Sequence, residues 1–467
     1  MNPELDRLFV KVTGMEPSAV SRLTAAGSNR VYYRLESDGR TLVGVEGTNA
    51  DENAAFFAIC RHLHAAGLPV PELVAVSDDG MCYLQQDLGD DSLFAHLDNT
   101  ALLEKVMALL PDLQFKGGRD FDFRACFPTV SFDRRSIMWD LNYFKYCFLK
   151  ATGQEFHEAR LEDDFERLAD VLLKDAPYDT FMYRDFQARN VMVKDSQPWF
   201  IDFQGGRRGP IEYDVASFLW QARAAYPDGL RQHLIDVYLE SLKRYRTVDA
   251  SEFRKSLMNF VLFRTLQVLG AYGYRGYFEH KPHFLQSIPA AISNLRSLLD
   301  TGAAAECPYL TGLLSSLVRL PQFDMQPLRA DDGLTVHIMS FSYRKGIPLD
   351  SSGNGGGFVF DCRSMHNPGK YEEYRQITGA DEPVIKFLEE RGEVQKYLEN
   401  VYGLIVPAVE KYLKRGFTDL MVCFGCTGGQ HRSLYCADHT AAFLKEKFGD
   451  SIHILLEHRE QGIKREL

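Results

Sequence analysis

Tyr183-Arg184-Asp185-Phe186-Gln187-Ala188-Arg189-Asn190 sets an acid and an amide five residues apart, and Asp202 follows twelve residues later in Ile201-Asp202-Phe203-Gln204-Gly205. Phosphoryl transfer to an alcohol needs a carboxylate that orients the hydroxyl and accepts its proton. It also needs oxygen ligands that hold Mg²⁺ against the nucleotide phosphates. Asp185, Asn190 and Asp202 supply those parts in the order that kinases use. An R-D-x-x-x-x-N string alone also fits an ordinary polar loop. The apolar runs VMV and WFIDF behind it favour the phosphotransfer reading, because they predict two strands that would pin the loop.

A second group lies far along the chain. The apolar strand Leu420–Phe424 runs into Gly425-Cys426-Thr427-Gly428-Gly429-Gln430-His431-Arg432-Ser433, and a helical pattern follows. A glycine-rich strand-to-helix turn presents backbone N–H groups and the positive end of the helix to an anion. Thr427, His431, Arg432 and Ser433 add donors, whereas a tight turn kept only for packing would not require them. The spacing differs from G-x-x-x-x-G-K-[ST], so an ATPase loop is not expected. Gly353–Gly357 has no lysine and reads as a hairpin tip. Cys423 and Cys426 form C-x-x-C with no second pair at zinc spacing, which argues against a metal site.

The elements that must position these groups divide the chain. RVYYRL, TLVGVE, ELVAVS and MCYLQQDL predict strands around a helix over ENAAFFAICRHLHAAG. Helical patterns dominate from Ser131 to Arg319, interrupted by the Asp185–Asp202 segment. LPQFDMQPLRADDGL reads as a linker, and from LTVHIMSFSY onward strands and helices alternate as in an α/β domain. The predicted division is residues 1–320, a linker over 321–333, and residues 334–467.

With 467 residues the chain is too long for one ordinary domain. The net charge of −11 argues against a protein that coats nucleic acid, which is normally basic. Neither part is basic: residues 331–467 hold 17 Lys/Arg against 20 Asp/Glu, and residues 1–330 hold 36 against 44. Nine cysteines, odd in number and scattered, fit a reducing compartment better than a disulfide framework. The opening MNPELDRLFVKV lacks a secretory layout, and no apolar run approaches the ~18 residues of a membrane span. The expectation is a cytoplasmic protein with no membrane or DNA partner.

On these residues the first part resembles the aminoglycoside phosphotransferase-like branch of the protein-kinase fold, and within it the N-acetylmuramate/N-acetylglucosamine kinases. The carrying motifs are Gly27-Ser28-Asn29-Arg30, Glu52-Asn53, Gln86-Asp87-Leu88-Gly89-Asp90, YRDFQARNVMV, and IDFQGGRRGPIEYDVASFL with its Gly209-Pro210, Tyr213-Asp214 and Ser217. The resemblance implies a bilobal α+β domain over residues 15–300 that uses ATP and Mg²⁺. It implies Asp185 as base, Asn190 and Asp202 as metal ligands, Ser28, Asn29 and Arg30 on the nucleotide, and Gln86 to Leu88 as the hinge toward adenine. The acceptor it implies is an amino sugar at its anomeric hydroxyl. Two departures stand out. Tyr183 replaces the usual His. The strand lysine is absent, for no lysine occurs between Lys11 and Lys105, and the strand reads Thr41-Leu-Val-Gly-Val-Glu46. Arg30 or Arg34 is expected to supply the phosphate-side charge, and Glu52 is either a helix residue facing the nucleotide or a solvated one.

Residues 334–459 resemble the C-terminal domain of the RNase adapter (RapZ-like) family through LTVHIMSFSYRKGIP, FVFDCRSMHNPG, ITGADEPVIKFL and GCTGGQHRS. This resemblance implies an α/β domain that binds an amino-sugar phosphate, glucosamine 6-phosphate, through Asp361, Arg363, Arg375, Thr427, Gly428, Gly429, His431 and Arg432. RNA is a further partner in that family, but here the basic tail is reduced to Lys464-Arg465. Gly369 stands where that family often has His, and its Walker-loop domain is replaced by the kinase-like part. Rival expectations are an aminoglycoside phosphotransferase, or a metabolite- or RNA-binding adapter with an inactive kinase fold.

Overall fold

The structure is a computed structural model that describes every residue except 1, 24–29, 280, 324–332, 349, 351 and 353–355. Its chain forms two compact units. One comprises Met1–Gly273 with Pro289–Val318, and the other Tyr274–Ile288 with Arg319–Leu467. The second unit therefore takes in a short stretch that the sequence assigns to the first part.

In the first unit, β1 (Ala19–Leu23), β2 (Val31–Ser37), β3 (Arg40–Glu46), β4 (Leu73–Val76) and β5 (Cys82–Gln86) form an antiparallel sheet in the order β1-β2-β3-β5-β4. The helix Pro3–Thr13 starts at Asn2, whose side chain accepts from Glu4 N, and stops at Gly14 at φ 79°. Its Leu5, Leu8 and Phe9 pack on Leu35, Cys82 and Leu84 of the sheet. The helix Ala50–Ala65 is capped by Asn49; its Phe56 and Phe57 meet Tyr83 of β5.

Helices form the rest of this unit. Thr100–Gly118 packs on Asp228–Leu242, and both Arg134–Phe144 and Ile211–Leu219 pack on Ala250–Gly273. Two small ribbons cross this helical body. β6 (Phe181–Met182) pairs with β9 (Arg207–Arg208), and β7 (Val191–Lys194) pairs with β8 (Gln197–Phe200). Asp195 and Ser196 both take positive φ, 52° and 58°, at the tip of the β7–β8 hairpin, as a two-residue turn matched to strand twist requires.

In the second unit, β10 (Leu334–Ser342), β11 (Phe358–Asp361), β12 (Asp419–Cys426), β13 (Ile452–His458) and β14 (Ile463–Glu466) form a sheet in the order β11-β12-β10-β13-β14. The first four strands are parallel and β14 is antiparallel. Helices Glu382–Glu389, Glu393–Arg415 and Arg432–Phe448 contribute Val384, Ile405, Val409 and Ala441 to a core with Val336, Ile338 and Val422. The turn at Gly425–Ser433 thus lies at the C-terminal end of a central parallel strand, where open α/β sheets bind ligands. Of the predicted linker, Pro321–Phe323 forms one 3₁₀ turn; residues 324–332 and the glycine tip 353–355 lie outside the described residues. No described helix is long and apolar enough to cross a membrane.

Candidate functional site

The loop between β6 and β7 carries Asp185 and Asn190, and the segment after β8 brings Asp202 to them. Asn190 Nδ2 donates to the Asp185 carbonyl oxygen at 2.8 Å and to Asp202 Oδ2 at 3.1 Å. Gln204 Nε2 donates to Asp202 Oδ1 at 2.8 Å. Arg184 and Asp202 hold φ of 78° and 68°, a conformation that costs a non-glycine residue about 1–3 kcal/mol. Asp214 offsets the first of these costs. Its two oxygens accept from Tyr183 N at 2.8 Å and Arg184 N at 2.9 Å. Burial pushes the Asp214 carboxyl up to about 7, while those two N–H bonds favour its charged form. The Tyr183 hydroxyl donates to the Ile201 carbonyl, tying the Asp185 loop to the Asp202 segment. Tyr183 thus acts as scaffold in place of a histidine.

Burial, then the nearby Asp185 charge, raises the Asp202 carboxyl above its ordinary value; the Gln204 amide, Arg189 and Arg30 oppose this. Two half-buried carboxylates and a buried amide form a hard oxygen-donor set, and a divalent cation would relieve their repulsion. The residues fit Mg²⁺. Among the described residues there is no cluster of three or more His, Cys, Asp or Glu suited to a metal, so the amide oxygen of Asn190 is needed for such a role.

Arg30 lies 3.3 Å from Glu52 and 5.9 Å from the Phe56 ring centre, and Phe56 stacks on Phe203 next to Asp202. Arg30 and Glu52 thus form an ion pair between the residue leading into β2 and the helix Ala50–Ala65. Arg34 is occupied elsewhere. It grips Asp87 at 2.6 and 3.1 Å and Asp90 at 2.8 and 2.9 Å. Arg34 thereby fixes the Gln86–Leu88 segment at the end of β5. Gln86 N donates to the Glu72 carbonyl at 2.9 Å, and Leu88 is buried. Ser28 and Asn29 lie outside the described residues.

In the second unit the Gly425–Ser433 turn is stapled from several sides. Gly429 N donates to Cys426 Sγ at 3.2 Å, and Ser433 Oγ lies 3.1 Å from that sulfur. These bonds and Arg432 outweigh burial and lower the Cys426 thiol below its ordinary value. Ser342 Oγ donates to the Thr427 carbonyl at 2.7 Å. Thr427 and Gly428 are exposed, and a Cβ on Gly428 would meet nothing within 4 Å, leaving the tip open to a ligand. Gly429, at φ 70°, is closed in by Ser342 and Glu460.

His431 and Arg432 are placed differently from the expectation. His431 Nε2 bonds the Tyr374 carbonyl at 2.8 Å, and Arg432 Nη1 donates to the carbonyls of Arg363 at 3.1 Å and Met365 at 2.9 Å. Both side chains are buried, so they hold neighbouring backbone against the turn. Asp361, opposite Gly425 in the β11–β12 register, forms an exposed pair with Arg363 at 2.7 Å, and Arg363 covers the Tyr343 ring at 4.0 Å. Arg375 is exposed, and its carbonyl accepts from Gln430 Nε2 at 2.9 Å. Five of the eight predicted residues thus belong to the turn; the carbonyls of Arg363 and Arg375 bond to it, and Asp361 sits opposite Gly425 in the strand register. The Cys426 sulfur at the centre of the turn was dismissed on the sequence as half of an unpaired C-x-x-C; its place at the strand end was the available signal.

Residues 19–249 match the phosphotransferase enzyme family (APH) and residues 334–462 the RapZ C-terminal domain. A nucleotide-binding protein of Aromatoleum aromaticum is 37% identical over 136 residues, 29% of this chain and 44% of that protein. One from Geobacillus kaustophilus is 34% identical over 138 residues, 30% of this chain and 43% of that protein. The chain thus spans less than half the length of these relatives. Among solved structures, an ethanolamine kinase of Plasmodium vivax aligns with a TM-score of 0.46 at 11% identity, covering 64% of this chain and 84% of that one. The chain therefore joins a phosphotransferase-family domain of the APH type to a RapZ C-terminal domain.

Proposed function

We propose that this chain is an ATP- and Mg²⁺-dependent small-molecule kinase that phosphorylates the anomeric hydroxyl of N-acetylmuramate or N-acetylglucosamine. The convergence of Asp185, Asn190 and Asp202 on a loop clamped by Asp214 carries the reading. Asp185 orients the sugar hydroxyl and takes its proton as the γ-phosphoryl transfers in line. Asn190 and Asp202 would hold Mg²⁺, which when bound neutralises charge on the phosphate oxygens. Arg30, supported by Glu52, faces the phosphates in place of the absent lysine. In the second unit, the open tip at Thr427 and Gly428 with its backbone N–H groups receives an amino-sugar phosphate. The resemblance to amino-sugar kinases supports the acceptor, and the intact trio supports an active rather than an inert kinase fold. Purified protein incubated with Mg-ATP and a panel of amino sugars and aminoglycosides tests the reading through acceptor-dependent ADP release. Release with aminoglycosides alone, or with no acceptor in the panel, would refute it.

A further inference from the structure

Cys426 ends β12, and Arg432 opens the helix Arg432–Phe448 on the far side of the glycine-rich turn. A thiol, five residues, then Arg432 and Ser433 is a spacing that anion binding alone leaves unused. The sulfur is held as a thiolate would be. Gly429 N donates to it at 3.2 Å, Ser433 Oγ lies 3.1 Å away, and the Ser433 N–H also donates to it. The helix has no side-chain cap, so its positive end is left to the sulfur and to whatever enters the turn. These donors outweigh burial and keep the Cys426 thiol below its ordinary value. Burial instead pushes Cys423, on the same strand, up to about 12. A packing cysteine has no use for such donors, whereas a nucleophilic one needs them.

A second feature points independently to a phosphate beside the sulfur. Arg432 is 4% exposed. The Arg363 and Met365 carbonyls take its Nη1. Among the described residues its Nε and Nη2 have no hydrogen-bond partner, and neither atom is sealed from solvent. Its charge bears on both Cys426 and Asp361. Nη1 fixes the guanidinium plane, and the remaining N–H edge suits two oxygens of a phosphate. The exposed Thr427 and Gly428 leave the entrance open.

We propose that the second unit hydrolyses phosphomonoesters through a cysteinyl-phosphate intermediate on Cys426, the phosphate being held by the Gly425–Ser433 turn and Arg432. The Sγ thiolate attacks phosphorus, and an S–P bond forms as the P–O ester bond breaks. The ester oxygen leaves with that electron pair and takes a proton from water. A second water attacks the same phosphorus, the S–P bond breaks, and inorganic phosphate leaves as the thiolate is restored, the proton of that water passing to solvent. The carboxyls that flank the turn sit below their ordinary values, Asp361 through Arg363, and Glu460 because Lys345, Ser342 N and Arg459 outweigh burial. Both are poor acids at neutral pH, so the substrates are esters of weakly basic alcohols, aryl phosphates foremost. On the ligand reading above, an alkyl phosphosugar such as glucosamine 6-phosphate occupies the same turn as a competitor.

The full chain incubated with p-nitrophenyl phosphate in EDTA tests the proposal. Nitrophenolate release should persist without metal, which separates it from the Mg²⁺-dependent first unit. Inorganic phosphate and glucosamine 6-phosphate should inhibit it competitively. Acid quenching during turnover should leave a phosphate adduct on the peptide bearing Cys426, read by mass spectrometry. Cys426→Ser should lower turnover at least about 10³-fold and keep phosphate binding by calorimetry. Ser433→Ala should raise the pH at which iodoacetamide alkylates Cys426, read on the same peptide. No turnover by the wild type, turnover abolished by EDTA, or an adduct on another residue would overturn the proposal whatever the variants' folding. Glucosamine 6-phosphate binding without any turnover of the aryl ester would refute this chemistry and leave the ligand reading standing.

Discussion

Asp185 and Asp202 share one half-buried site, and removing either charge should have a different consequence. Asp185→Asn keeps the shape of the loop but cannot accept a proton, so turnover should fall about 10²- to 10⁴-fold with nucleotide affinity nearly intact. Single-turnover rates beside nucleotide titrations check this, and near-normal turnover would remove Asp185 from the base role. Asp202→Ala takes away a carboxylate that would act on the ground state too, so the Mg²⁺ dependence of nucleotide binding should weaken. An unchanged Mg²⁺ titration would count against that assignment. At this scale the trio was legible because its spacing lies within eighteen residues of one segment. Asp214 stood in a recognised motif, but its clamp on the Tyr183 and Arg184 backbone was not legible, since those residues meet only through the fold. Arg34 looked equivalent to Arg30 in sequence; only the positions of Asp87 and Asp90 separate them.

At the level of elements, the Asp185 loop depends on a helix distant in sequence. Asp214→Asn turns one of its two acceptors into an N–H₂ group facing a backbone N–H, at a cost of about 1–3 kcal/mol. A urea titration should show the loss of stability, with a fall in turnover as the positive φ at Arg184 relaxes. Unchanged stability and turnover would mean that the clamp does not hold the loop. In the second unit, a Cβ at Gly379 would lie 2.1 Å from the His431 carbonyl oxygen, while Gly379 N donates to the Gln430 carbonyl at 2.9 Å. Gly379→Ala should therefore displace the Gly425–Ser433 turn and abolish glucosamine 6-phosphate binding, by calorimetry, while leaving turnover in the first unit unchanged. Retained phosphosugar binding would show that the turn tolerates the shift. The strands were legible from apolar runs such as LMVCF and VMV. The use of Arg432 and His431 as backbone clamps was not, because a donor in a glycine-rich turn has the same letter whether it faces ligand or carbonyl.

For the whole molecule, charge is the most direct constraint. With a net of −3 over residues 331–467, few phosphates are neutralised at once, so RNA binding should be weak and steeply salt-dependent. A gel-shift series across salt concentration checks this, and tight salt-resistant binding would contradict it. The sequence puts a linker over 321–333, whereas the compact units part between Val318 and Arg319. The assignment of Tyr274–Ile288 to the second unit was not legible, since nothing in that helical run marks a change of neighbours. The central claim is that the Asp185 site transfers phosphate, and one measurement bears on it most directly. With Mg-ATP and N-acetylmuramate, the wild type should release ADP only when the sugar is present, and Asp185→Asn should release it about 10²- to 10⁴-fold more slowly. No sugar-dependent ADP from the wild type, or equal rates from both proteins, would contradict the account.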